Sequence, residues 1–182
     1  MEQLIQRLKN LAKDKAYFVV AIDGRAASGK TTIALKLQKA LSANVIHIDD
    51  FFLPKEKQNL KIIGGNIDFS RLKEEVLNQL SQSISYHRFD CRVQEFSKKI
   101  DLPFKKVILI EGAYALHPTL GKYYDYALFV SVSKETQVRR IGLRNPENKE
   151  AFFTCWIPLE EQYFKAYHIL EKCNELFENE DS

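Results

Sequence analysis

The stretch Asp23-Gly24-Arg25-Ala26-Ala27-Ser28-Gly29-Lys30-Thr31-Thr32 constrains this chain more than any other. Read from Gly24, it matches the Walker A phosphate-binding pattern G-x-x-x-x-G-K-[ST] without a mismatch. Before it runs Tyr17-Phe18-Val19-Val20-Ala21-Ile22, an apolar run of the kind a buried parallel strand needs. After it, Ile33, Ala34, Leu37, Ala40 and Leu41 recur at helical spacing. Strand, glycine-rich loop and helix are the context the motif requires. Without a Cβ, Gly24 and Gly29 allow the loop to turn its N–H groups toward a phosphate, and the helix start aims its positive dipole end at the same point. Lys30 then reaches the β- and γ-phosphates, and the Thr31 hydroxyl ligates Mg²⁺. The candidate ATP-holding residues are Gly24, Ala26, Ala27, Ser28, Gly29, Lys30, Thr31 and Thr32.

The 182 residues suffice for one domain with a sizeable core, and 45% hydrophobic with 28% charged residues is ordinary for a globular protein. A net charge of +3 comes without any block of like charges, which argues against a nucleic-acid-binding face. Cys91, Cys155 and Cys173 form no C-x-x-C pair, so neither a disulfide framework nor a zinc site is indicated, and reduced thiols in a cytoplasmic protein are expected. The first residues read as a surface helix rather than a signal peptide, and no apolar stretch is long enough to span a membrane.

In chain order, the expected elements are a helix at 2–12, strands at 17–22 and 44–48, and between them a helix at 30–42. Residues 54–67, with Gly64-Gly65, read as a loop, and 70–84 as a helix capped by Ser70. Residues 86–104 read as one or two short strands in an insertion that covers about 54–104. Strands follow at 106–110 and 126–132, then a helix capped by Ser133 and running to Arg144. Residues 145–157, with Asn145-Pro146, read as a mobile loop, 158–178 as a last helix, and 178–182 as a frayed acidic tail. Alternating strands and helices predict an α/β fold of three layers, a central parallel sheet flanked by helices, with ligands at the strand C-termini.

Three strand ends carry residues suited to phosphoryl transfer, which needs positioning, charge neutralisation and a group that deprotonates the nucleophile. The first leads to the phosphate loop. The second delivers Asp49 and Asp50, the third Glu111. Asp49 is the candidate base, and Asp50 is expected to point elsewhere; taken alone the pair reads equally as a turn after a strand. Glu111 is placed to hold Mg²⁺ with Thr31 and Asp49, or else to cap the next turn. Arg139, Arg140 and Arg144 stand on the helix before the 145–157 segment, so about 139–157 is a candidate lid whose Arg140 stabilises transferring charge. A solvated basic helix face is the alternative. His47, His87, His117 and His168 show no metal spacing and are expected to be structural or surface residues.

Gly24 to Thr32, followed by Ile48-Asp49-Asp50-Phe51-Phe52 and Ile110-Glu111-Gly112, resembles the uridine kinase-like group of P-loop kinases. The resemblance covers about residues 17–165. It implies ATP- and Mg²⁺-dependent phosphorylation of the 5′-hydroxyl of a nucleoside, with Asp49 as base, Glu111 assisting Mg²⁺, and Arg139, Arg140 and Arg144 as lid arginines. Asp49-Asp50-Phe51-Phe52-x-Pro54 and Trp156-x-Pro158 are also similar to nicotinamide riboside kinases. Phe52 stands where the family's D-S-F-Y pattern has Tyr, and the family's T-H-x-R stretch is not seen; residues 86–92, with Arg88 and Arg92, stand in its neighbourhood. Asn66-Ile67-Asp68-Phe69 looks like the family's N-F-D segment. The acceptor-side candidates are therefore Asp49, Phe52, Asp68, Arg88 and Arg92. Kinases for nicotinamide riboside, pantothenate or another small alcohol are the alternatives, together with a nucleotide-binding regulator that lacks an acceptor. The oligomeric state stays open, a homodimer among the options.

Overall fold

The structure, a computed structural model, describes residues 1–144 and 146–180. In chain order come α1 (Glu2–Ala12), β1 (Phe18–Gly24), α2 (Lys30–Leu41), β2 (Asn44–His47), α3 (Phe69–Glu75), β3 (Ile84–Asp90) and β4 (Glu95–Leu102). Then follow β5 (Val107–Glu111), β6 (Tyr126–Ser131), α4 (Lys134–Arg144), α5 (Lys149–Ala151), α6 (Ile157–Ala166), α7 (Ile169–Lys172) and β7 (Glu175–Glu178).

Every residue of β1 and β5 is buried, which is why both read as unbroken apolar runs. They lie at the heart of a parallel sheet of order β2-β5-β1-β6-β7. Side chains alternate between its faces. Phe18, Val20 and Ile22 join Leu109, Leu128 and Val130 under α1 and α2, where Leu4, Leu8, Ile33 and Leu37 complete one core. Val19, Ala21, Ile108, Ile110, Ala127 and Phe129 face the other way, into a core with Leu72, Tyr163, Phe164 and Ile169 of α3, α6 and α7. These are the expected three layers. The strands' parallel C-terminal ends bring Gly24, His47 and Glu111 to one edge, with Glu111 in register with both Ile22 and His47.

The expected insertion forms an antiparallel hairpin of β3 and β4. Ser133 caps α4 as expected, accepting from the Thr136 N–H at 3.3 Å. Several stretches differ from the sequence reading by more than a residue or two. The helix placed at 70–84 ends at Glu75, because Val76 turns out of helical geometry at φ −123°, and from Ile84 the buried residues Ile84, Tyr86 and Phe89 belong to a strand. Its cap is Asp68, which accepts from the Arg71 N–H at 3.0 Å, rather than Ser70. Asn145 lies outside the described residues, but the rest of the expected loop is helical: a turn at Pro146–Asn148, then α5, then a π-helical turn at Phe152–Trp156 that runs into α6. Pro158, which has no N–H to donate, follows directly on that π-helical turn. The last helix breaks at His168, in left-handed geometry at φ 51°, and the chain returns as β7 beside β6. The expected frayed tail is docked as far as Glu180: the Asn179 N–H donates to Ser131 O at 2.9 Å, and Glu180 Oε2 accepts from Ser133 Oγ at 2.9 Å. Asp181 and Ser182 lie outside the described residues. Among the described residues no helix is long and apolar enough to cross a membrane.

Candidate active site

The phosphate loop joins β1 to α2 at the centre of the sheet edge. Gly24 takes φ 141° with its back against β6; a Cβ there would lie 2.0 Å from Val130 O. Gly29 takes φ 88°, and Ala27 is left-handed at φ 56°, so the backbone turns twice before α2 begins. Such alternation gathers N–H groups into an anion-binding concavity at a helix N-terminus. Lys30 Nζ donates to Gly24 O and Arg25 O, each at 2.8 Å, which holds the ammonium over the loop. Thr31 and Thr32 are exposed on the first turn of α2, while Ser28 is buried.

The acids converge on the same place. Thr31 Oγ1 donates to Glu111 Oε1 at 3.0 Å, and His47 Nδ1 lies 2.5 Å from that oxygen. The bond to Glu111 outweighs burial and pushes the His47 imidazole up. Asp49 is exposed, yet it feels Glu111, Lys30 and His47. Desolvation by the surrounding protein and then the Glu111 charge push its carboxyl up, while Lys30 and His47 oppose the rise. Asp50 turns inward: it is buried, accepts from Tyr86 Oη at 2.9 Å and pairs with Arg88 Nε at 3.0 Å.

The acceptor-side candidates are gathered around the same turn, with one exception. The Asp68 N–H donates to Phe51 O at 2.7 Å, Phe52 bridges to Ile67, and Arg88 reaches Asp50. Arg92 instead pairs with Asp90 where β3 meets β4, at 3.2 Å. On α4, Arg140 is turned toward the phosphate loop, donating to Ala27 O at 3.1 Å and to Asn179 O at 2.7 Å. Arg139 and Arg144 are exposed on that helix.

Five residues of this region escape a reading of the sequence for function. His47 was signalled only by its spacing, two residues from Asp49. Asp23 is fully buried and accepts from the Gly24 N–H at 2.7 Å, the Leu116 N–H at 2.9 Å and Tyr163 Oη at 2.7 Å. Burial pushes its carboxyl up, against those three donors. Glu160 and Gln137 are buried against the Ala26 backbone, one at its N–H and the other at its C=O. Asn179, from the tail, donates to Ser28 O at 2.6 Å. None of the last three has a sequence signal, since each meets loop backbone more than a hundred residues away.

No protein-family model matches the chain. It is 34% identical over 122 residues to uridine-cytidine kinase C of Dictyostelium discoideum, across 62% of this chain and 26% of that protein. It is 24% identical over 143 residues to the tRNA-specific adenosine deaminase subunit tad2 of Schizosaccharomyces pombe, across 75% of this chain and 36% of that protein. The match thus spans about a quarter to a third of the length of these curated relatives. Among solved structures, a possible uridine kinase from Bacillus stearothermophilus superposes with a TM-score of 0.72 at 19% identity, covering 96% of this chain and 99% of that one. At that identity the likeness is one of fold, the three-layer α/β arrangement of a parallel sheet between helices.

The residues present at this sheet edge suit a magnesium nucleotide. Thr31 and Glu111 offer two hard oxygen donors at bonding distance from each other, with Asp49 close by. Mg²⁺ is ordinarily held by one or two protein oxygens plus phosphate and water, so no larger cage is called for. The left-handed turns at Ala27 and Gly29, ahead of the twelve-residue helix α2, suit a phosphate group.

Proposed function

We propose that this chain transfers the γ-phosphoryl group of ATP to a hydroxyl of a small molecule, the 5′-hydroxyl of a nucleoside such as uridine or cytidine. The observation that carries the reading is the convergence of the Lys30 loop, the Thr31–Glu111 pair and Asp49 on one sheet edge. Lys30 and the loop amides bind and orient the β- and γ-phosphates. Mg²⁺, held by Thr31 and Glu111 with Asp49 nearby, would supply neutralisation of phosphate charge. Asp49, exposed at the strand end beside Lys30 and Glu111, takes the proton of the acceptor hydroxyl. Arg140, already at the loop, stabilises charge on the transferring group as residues 139–157 close over it. Asp68, Phe52 and Arg88 line the acceptor side.

The resemblance to uridine kinases and the sequence similarity to uridine-cytidine kinase C support the nucleoside. The deaminase similarity does not extend to deaminase chemistry, whose signature includes P-C-x-x-C, a pair that this sequence lacks. Phe52, where uridine kinases have Tyr, favours a second reading, phosphorylation of nicotinamide riboside, pantothenate or another small alcohol.

ATP consumption across uridine, cytidine, nicotinamide riboside, pantothenate and simple sugars tests both. Uridine- or cytidine-dependent ADP production that Lys30→Ala abolishes is the expected result. Turnover unchanged in Lys30→Ala refutes the phosphate-loop assignment. ADP release that no acceptor stimulates refutes the kinase in favour of a nucleotide-binding regulator.

A further inference from the structure

Two helices meet on the backbone of one residue of the phosphate loop, gripping the peptides on either side of its Cα. The Ala26 N–H donates to Glu160 Oε2 of α6 at 2.8 Å, and Ala26 O accepts from Gln137 Nε2 of α4 at 3.0 Å. Both side chains are buried, Glu160 to 8% and Gln137 to 5% exposure. One residue on, Arg140 holds Ala27 O. Arg25 pairs with Glu161 of α6 and lies 5.7 Å from the Phe164 ring. Residues 146–156 leave α4 and return into α6, so both ends of the candidate lid are fastened to the same turn of the loop.

Peptide planarity gives these contacts a consequence. In a trans peptide the C=O of one residue and the N–H of the next point in opposite directions. Holding Ala26 O and Ala27 O outward, against α4, therefore turns the N–H groups of Ala27 and Ser28 away from α4. The Ala26 N–H is taken by Glu160 and the Ser28 N–H by Arg25 O at 3.2 Å, which withdraws both from the set that can face a phosphate. A buried carboxylate is a costly acceptor for one amide, so shape alone does not account for it.

We propose that Glu160 is a positioning residue for nucleotide binding, which with Gln137 locks the two peptides flanking the Ala26 Cα and couples the α4–α6 segment to the phosphate loop. The inference rests on the reading of Gly24–Thr32 as a nucleotide loop. Its electrostatics add a signature. Glu160 faces Lys30 and Arg25, which favour its charge, and Asp23, which opposes it; Tyr114 is also within its field. A triphosphate that engages Lys30 brings negative charge to this group, so binding favours proton uptake by Glu160.

The test is the affinity of a fluorescent ATP analogue for wild type, Glu160→Ala, Glu160→Gln, Gln137→Ala and Lys30→Ala, with circular dichroism as the check on folding. Glu160→Ala and Gln137→Ala are expected to weaken binding by about tenfold or more, the scale of a lost hydrogen bond to a charged or buried group. Glu160→Gln, which keeps an acceptor in place, is expected to bind close to wild type. Between about pH 8.5 and pH 6 the wild-type affinity is expected to rise relative to Glu160→Gln, as the shared titration of the nucleotide cancels. Undiminished affinity in either alanine variant, or the same pH profile in wild type and Glu160→Gln, overturns the inference. If Glu160→Ala does not fold, Gln137→Ala and the pH comparison decide. A wild type that binds no nucleotide refutes the phosphate-loop reading itself, and the inference with it.

Discussion

Replacing Glu160 with glutamine separates the charge of this side chain from its shape. The carboxyl is 8% exposed, and burial, only partly offset by Lys30 and by the Ala26 N–H, pushes it from 4.5 up to about 7. Between those two values the folded protein binds a proton that the unfolded chain does not, so stability falls as pH rises. The favourable contribution is complete below the unfolded value and is lost as pH climbs through about 7. The gap corresponds to about 3 kcal/mol in all, at about 1.4 kcal/mol per pH unit. About 2 kcal/mol of that falls between pH 5.5 and pH 8.5. Glutamine cannot titrate, so the stability of Glu160→Gln minus that of wild type should climb by about 2 kcal/mol across this window. Urea unfolding of both proteins at a series of pH values measures it. Subtraction removes every group the two proteins share. A difference that stays flat refutes the reasoning, because it means the carboxylate is as well solvated folded as unfolded. A difference that falls with pH means that Lys30 and Arg25 outweigh burial, and refutes it equally.

Asp49→Asn is expected to leave ATP affinity in place and slow phosphoryl transfer by about 10²–10⁴, measured in single-turnover reactions; normal transfer would assign the base elsewhere. Gly24→Ala is expected to cost about 3 kcal/mol or more in urea unfolding, since a Cβ 2.0 Å from Val130 O forces β1 and β6 apart; wild-type stability would refute the close approach.

The parts of the fold that sequence reading captured are those in which one physical demand dominates. β1, β5 and β6 are buried on both faces, and no polar residue interrupts their apolar runs before the strand ends. The parts it misjudged involve competition between local pattern and distant packing. Leu159, Tyr163, Ala166 and Leu170 keep helical spacing across His168, yet the chain turns there through a left-handed residue without a glycine to mark it. What decides the turn is long-range: the Asn174 N–H and side chain bond Ala127, which sets β7 beside β6. Asn145-Pro146 marked a loop, although proline equally opens a helical turn, and Pro146 does so here.

The same contrast runs through the site. Glycine, lysine and threonine of the phosphate loop declare themselves because backbone geometry and phosphate charge admit few alternatives. The groups that hold the loop declare nothing, because each acts on a carbonyl or an amide, which every residue type carries. Three successive loop carbonyls are held this way: Ala26 O by Gln137, Ala27 O by Arg140 and Ser28 O by Asn179. By the planarity of the peptide, each held carbonyl fixes the direction of the next N–H, so α4 and the tail fix those of Ala27, Ser28 and Gly29, of which the Ser28 N–H closes the loop onto Arg25 O at 3.2 Å. Asn179 adds a steric limit, since its Nδ2 would lie 2.5 Å from a Cβ on Gly29. The second glycine of the motif is thus required twice, for its φ of 88° and for the tail that packs on it. The tail in turn is anchored on both sides, by β6 through Ser131 O and by Arg140 through Asn179 O. A loop so held has lost its conformational freedom before a nucleotide arrives, and that ordering cost does not fall on the binding step.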